Sequence, residues 1–206
     1  MDALPFDAVL CDLDGVIRLW DPDGMTSLDR AWGLGEGTLA AAAFDPQRVD
    51  PAVTGLISDQ KWRSQVAEDL ADACGSLPRA QALIEAWAAL VGQADAAVLA
   101  LLAAVRRCQV PVVLISNATT RLEEDLATMG LTEAFDAVVN TARVGITKPD
   151  PRVFAIAAQL AGTTPDRCLF IDDTLGHVTA ARTLGMEALH YEHVGQLRAV
   201  LGPLAP

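Results

Sequence analysis

The chain has 206 residues, 51% of them hydrophobic, enough for one sizeable core with at most a small satellite. Lys and Arg number 15 against 27 Asp and Glu, a formal charge of −12. That balance excludes non-specific binding to nucleic acid or to an anionic membrane, and it repels an anionic ligand unless local cations or a metal reverse the field.

The four cysteines, Cys11, Cys74, Cys108 and Cys168, form no C-x-x-C pair. This reads as thiols packed as small hydrophobes rather than a zinc or redox site. No basic, then apolar, leader pattern opens the chain, and no apolar run reaches the ~18 residues of a membrane span. The expectation is a soluble, cytoplasmic protein, monomer or homodimer.

In chain order, residues 6–11 read as a short buried strand. Residues 16–93 then look mostly helical. Ser58 is an N-cap for a helix carrying Trp62, Val66 and Leu70, and Leu83, Ile84, Trp87, Leu90 and Val91 form an amphipathic stripe. All four tryptophans, Trp20, Trp32, Trp62 and Trp87, lie in this segment.

From residue 94 strands and helices alternate. A helix over 94–107 places Val98, Leu101, Leu102 and Val105 on one face. "VPVVLI" (110–115), "FDAVVN" (135–140), "RCLFID" (167–172) and "MEALHY" (186–191) read as strands, with too little alternation for one wet face. Asp150-Pro151 starts a helix through about Leu160, Thr164-Pro165 repeats the signal, and 174–185 is a helix stopped by Gly185. The pattern predicts a Rossmann-like α/β core, a parallel sheet between two helical layers, with right-handed crossovers. The division expected is a core of 1–15 and 94–206, and an inserted helical domain of 16–93.

Ligands bind at the carboxyl ends of the strands in such a sheet. Here those ends carry Asp12-Leu13-Asp14-Gly15, Ser116-Asn117 and Asp172-Asp173-Thr174, and the loop after the third core strand leads to Lys148-Pro149. Carboxylates crowded together need a cation among them. An all-oxygen set with no Cys or His cluster suits Mg²⁺ over Zn²⁺. Such residues are also common turn formers and helix caps, and His177, His190 and His193 read as surface residues without a partner cluster.

Together the motifs "DLDGV", "LISN", "KPDPRVF" and "LFIDDTLGHVTAARTLGM" resemble, in order and context, those of phosphatases of the haloacid dehalogenase superfamily. The resemblance spans about residues 6–190. It implies Asp12 as nucleophile, forming an aspartyl-phosphate, and Asp14 as general acid–base. It further implies Ser116, Asn117 and Lys148 around the phosphoryl group. Mg²⁺ would sit on Asp12, Asp173 and the Asp14 carbonyl, with Asp172 orienting the site. Residues 16–93 resemble the family's cap, and "TGLISDQKWRSQVAEDL" resembles a stretch found near sugar-phosphate phosphatases. Arg18 and Trp20 fall where the family has a mobile flap and are candidate substrate contacts. The resemblance points to a small phosphorylated metabolite as substrate. A phosphomutase shares every core motif; a 2-haloacid dehalogenase or a non-catalytic phosphate-binding module shares fewer of the implied roles.

Overall fold

Ala8–Cys11 forms β1, four fully buried residues too short to stand without neighbours on both sides. It finds them in the computed structural model, which describes residues 5–201. Among the described residues the chain then runs through β2 (Arg18–Leu19), α1 (Gly24–Trp32), α2 (Thr38–Ala43), α3 (Pro46–Val53), α4 (Asp59–Leu70), α5 (Leu77–Ala88) and β3 (Gln93–Ala94). There follow α6 (Ala96–Arg107), β4 (Val112–Ser116), α7 (Leu122–Thr128), β5 (Ala137–Asn140), α8 (Thr141–Val144) and α9 (Pro151–Leu160). The chain ends through β6 (Cys168–Asp172), α10 (Leu175–Thr183), β7 (Glu187–His190) and α11 (Val194–Leu201).

The main sheet has the order β5-β4-β1-β6-β7, and all its pairings are parallel. Because side chains alternate along a strand, β1 feeds two cores. Val9 and Cys11 pack with α6, α7 and α11, whereas Ala8 and Leu10 pack with α9 and α10. The result is a Rossmann-like three-layer α/β fold. Phe154 and Phe170 meet edge to face at 5.1 Å in the second core. Each contributes roughly 2–3 kcal/mol through burial.

The helix starts follow the local signals. Asp95 accepts from the N–H groups of Ala97 and Val98, Asp150 from that of Arg152, and Ser58 from that of Lys61. Thr164-Pro165 opens only a three-residue 3₁₀ turn, because Cys168 must already pair with Ala8. The apolar stripe predicted through Val91 also stops early. α5 ends at Ala88, and Val91 is exposed, because the chain turns off to pair β3 with β2 in a small antiparallel ribbon. Cys11, Cys74 and Cys168 are buried as predicted, but Cys108, at the C-cap of α6, is exposed.

α1–α5 pack on one another around a third apolar cluster containing Leu39, Trp62, Val66, Leu70 and Leu83. Trp62 crosses Trp87 at 5.2 Å and donates from Nε1 to the Ala43 carbonyl. The fully buried Asp29 ties this layer together by accepting from the N–H groups of Gly37 and Leu39. Toward the sheet, the Asp59 carboxylate accepts from the Thr119 hydroxyl, and Arg121 donates to the Ala88 carbonyl. No helix among the described residues is long and apolar enough to cross a membrane.

Candidate active site

β1 lies between β4 and β6, where the chain reverses its direction of travel across the sheet, so the loops after these three strands converge. A cavity of about 520 Å³ opens there, lined by Asp12, Asp14, Gly15, Leu19, Trp20, Ser116, Asn117, Asp173 and Thr174. The tertiary structure thus brings together sequence segments more than 150 residues apart.

Asp12 directly follows β1, anchored by its N–H to the Ile171 carbonyl. Its Oδ1 accepts from the Leu13 N–H at 2.7 Å and pairs with Lys148 Nζ at 2.9 Å. Among the described residues no donor reaches Oδ2. Lys148 is itself buried and bridges to Asp172 Oδ2 at 2.7 Å. Asp172 completes the chain: Oδ1 accepts from the Thr174 N–H, and His177 Nδ1 lies 3.1 Å from both oxygens.

The electrostatics follow from that burial. Desolvation raises the Asp12 carboxyl to about 7, against the pull of Lys148 and with the repulsion of Asp172. Burial alone would raise Asp172 too, but hydrogen bonding from His177 and the charge of Lys148 outweigh it and lower the group. Burial would lower Lys148, and its two carboxylates hold it above the ordinary lysine value. Asp173 is raised by burial and by its neighbour Asp172.

Gly15 has a positive φ of 78°, and a Cβ there would overlap the Asp173 carboxylate. The missing side chain is therefore what lets Asp173 lie against the Asp12–Gly15 loop. Asp12, Asp172 and Asp173 face a single buried cation, Lys148, so the pocket carries excess negative charge on oxygen donors. That composition fits a hard divalent ion. Asp12, Asp172 and His177 also present ligand atoms within 4.8 Å of one another. The Lys148 ammonium already stands between the first two.

Asp14 points to the other wall. Arg18 grips it with two bonds, Nε to Oδ1 at 2.6 Å and Nη2 to Oδ2 at 2.8 Å, and Trp20 Nε1 donates to Oδ1 at 2.6 Å. Arg18 also pairs with Asp125 on α7 and lies under the Trp20 ring. Gly92 makes room for it, since a Cβ there would strike the Arg18 side chain. Arg18 is buried and Trp20 exposed, and each spends its polar atoms on carboxylates of this chain.

The remaining predicted residues divide in the same way. Ser116 is buried at the end of β4, on the cavity wall. The Asn117 side chain instead locks the Lys148 loop: its Nδ2 donates to the Lys148 carbonyl and its Oδ1 accepts from the Lys148 N–H. Lys148 and Asp172 lie behind the wall rather than on it. Sequence reasoning missed His177. Its signal was the spacing, five residues after Asp172 and in the first turn of the helix that follows the strand.

The fold has counterparts in known proteins. A phosphatase of Mycobacterium tuberculosis (strain CDC 1551 / Oshkosh) is 24% identical over 209 residues, covering 95% of this chain and 91% of that protein. A family enzyme of Bacteroides thetaiotaomicron, solved with magnesium and inorganic phosphate, superposes with a TM-score of 0.72 at 21% identity, covering 93% of this chain and 98% of its own. The L-2-haloacid dehalogenase of Xanthobacter autotrophicus superposes with a TM-score of 0.62 at 22% identity, over 98% of this chain and 84% of that one. Residues 6–185 match the model of the haloacid dehalogenase-like hydrolases, and the chain belongs to that family.

Proposed function

We propose that this hydrolase is a Mg²⁺-dependent phosphatase that cleaves a small phosphorylated metabolite through an aspartyl-phosphate. The observation that carries the reading is the asymmetry of Asp12: Oδ1 is pinned by Leu13 and Lys148, while Oδ2 has no partner among the described residues and the residue lines the cavity. A fixed carboxylate with one unengaged oxygen is a nucleophile already aimed. The similarity to a named phosphatase, and to an enzyme solved with magnesium and phosphate, supports it.

In the proposed reaction Asp12 Oδ2 bonds to phosphorus as the ester oxygen leaves with a proton from Asp14. Asp14 then takes a proton from water, whose oxygen attacks phosphorus and releases phosphate and Asp12. Both Asp14 oxygens accept hydrogen bonds in the present geometry, which suits the second step; the first requires that at least one contact be released. The Ser116 hydroxyl and the main-chain N–H of Asn117 would hold the phosphoryl oxygens, with the positive charge of the Lys148 ammonium acting on them from behind Asp12. Asp12, Asp173 and the Asp14 carbonyl, with Asp172 behind them, would hold Mg²⁺, which would supply charge neutralisation for the phosphoryl group. Residues 16–93 would act as the cap that excludes water and selects the substrate.

A dehalogenase would need neither Asp14 as proton donor nor Asp173 beside Gly15. A mutase would pass the phosphoryl group to a second substrate position instead of to water. The test is phosphate release over a panel of sugar, nucleotide and organic-acid phosphates with Mg²⁺, with EDTA and with Asp12→Asn as blank. Release that both controls abolish is expected. No release from any ester, or halide release under EDTA, overturns the proposal, and isomerisation without release turns it toward a mutase.

A further inference from the structure

A second cavity of about 190 Å³ adjoins the first, and Asp14, Trp20 and Asn117 line both. It lies between α3–α5 and the loops that follow β1 and β4. Its apolar walls include Trp20, Phe44, Trp62 and Trp87. Its volume is well below the ~300–1,000 Å³ of pockets for drug-sized ligands, so it admits only a small organic group.

The charged groups around it cancel. Arg18 pairs with Asp14 and Asp125, Arg121 with Asp125, and Arg63 with Asp59. Three guanidinium groups thus meet three carboxylates, and a further full charge entering the pocket would find no counter-charge, an unfavourable burial. One fully buried polar atom is left over among the described residues. Arg63 Nη1 is buried without an acceptor among the described residues. An unsatisfied buried donor is costly unless a ligand supplies the acceptor.

Arg63 is held firmly for that purpose. Its Nε donates to Asp59 Oδ2 at 2.7 Å, and its guanidinium lies 4.5 Å from the centre of the Trp87 ring. Asp59 Oδ1 accepts from Thr119, two residues past Asn117. Arg63 is therefore tied through Asp59 to the loop that bears Ser116 and Asn117.

We propose that this pocket receives the leaving group of the phosphate ester, and that Arg63, which lines it, selects an uncharged leaving group that offers an oxygen acceptor to its guanidinium and carbon faces to the tryptophans. The assignment rests on the phosphatase reading for the position of the phosphoryl group. It names the substrate class as a compact, hydroxyl- or carbonyl-bearing monoester without a second anion.

The tryptophan walls report occupancy directly. Intrinsic fluorescence is titrated, with Mg²⁺ present, with three phosphonates of equal chain length ending in hydroxyl, methyl or carboxylate. The hydroxyl compound is expected to bind roughly tenfold tighter than the methyl one, the scale of one buried hydrogen bond, and tighter than the carboxylate. Arg63→Met should bring the hydroxyl-to-methyl ratio to about one, and Arg63→Lys should restore part of it. Equal binding of all three by the wild type, preference for the carboxylate, no binding, or an unchanged ratio in a folded Arg63→Met overturns the assignment; the wild-type ranking needs no variant. Phosphate release measured on the same preparation separates the two ideas. Release without discrimination removes only this inference, and discrimination without release from any ester removes only the phosphatase reading.

Discussion

The strand-end wall of the candidate active-site cavity and the helical wall that faces it are built on opposite principles. At the strand ends, Asp12, Asp172 and Asp173 outnumber Lys148, and the buried groups are pinned by ion pairs and main-chain N–H groups. On the helical side the guanidinium and carboxylate groups cancel, aromatic rings supply the surface, and Arg63 Nη1 is buried without an acceptor among the described residues. A wall with uncompensated charge suits an ion and a phosphoryl group. A neutral wall with one spare donor suits an organic group held by shape and a single bond. The contrast places the proposed chemistry on the sheet and the proposed selectivity on the helices.

The largest expected effect strikes the strand-end wall. Asp12→Asn should lower turnover by more than about a thousandfold, as the loss of a nucleophile does, while thermal melting stays close to wild type. Near-normal phosphate release from this variant would remove Asp12 from the proposed role.

Lys148→Met tests whether that wall depends on its one buried cation. It leaves Asp12 and Asp172 buried with no ammonium between them. Breaking a buried pair in this way costs about 3–5 kcal/mol, to be read from denaturant unfolding.

The helical wall should yield more locally. Leu83→Ala empties a fully buried position in the third cluster and should cost about 2–5 kcal/mol. Hydrogen exchange should show protection lost in α1–α5 first, with β1, β4 and β6 retained. Uniform loss across the chain would mean that the two regions unfold as one.

Trp20→Phe works at the junction of the walls. It removes one donor from Asp14 and leaves the Arg18 grip in place. A change of a few-fold in kcat is expected, the scale of one hydrogen bond. An effect confined to KM would instead make Trp20 a substrate contact.

The smallest effect lies far from both. Asp150 caps α9, and Arg152, through its side chain and its N–H, holds the carboxyl down at about 2 against an ordinary 3.8. The group binds fewer protons folded than unfolded between those values. Its stabilisation is complete above pH 3.8 and is lost as the pH falls through about 2. The melting-temperature gap between wild type and Asp150→Asn should therefore close over that window.

Much of this design was legible from residue order alone. The central β strands of the main sheet were marked by apolar runs without alternation, because β1, β4 and β6 are covered on both faces. The starts of α4 and α9 were marked by Ser58 and Asp150, because capping is a contact over two or three residues. Asp12, Asp14, Ser116, Lys148 and Asp172-Asp173 stood out because parallel strands deliver their ends to one edge. Less legible was whatever depends on contact between distant segments. The spacing of Leu83 to Val91 predicted a longer α5, and the pairing of β3 with β2 cut it short.

Local sequence thus determined the strands, most helix starts and the edge on which the polar residues gather, since those follow from periodicity and short-range hydrogen bonds. Only the tertiary structure decided how the residues divide their work. Lys148 and Asp172 pair with each other behind the wall, His177 joins them, and Asn117 locks the Lys148 loop. Arg18 and Trp20 close on Asp14, and Arg63 keeps one donor without a partner. Those outcomes depend on which side chains meet across 24, 31 or 107 positions of chain. Such meetings are settled by the packing of the sheet and its inserted helices, which no local pattern encodes.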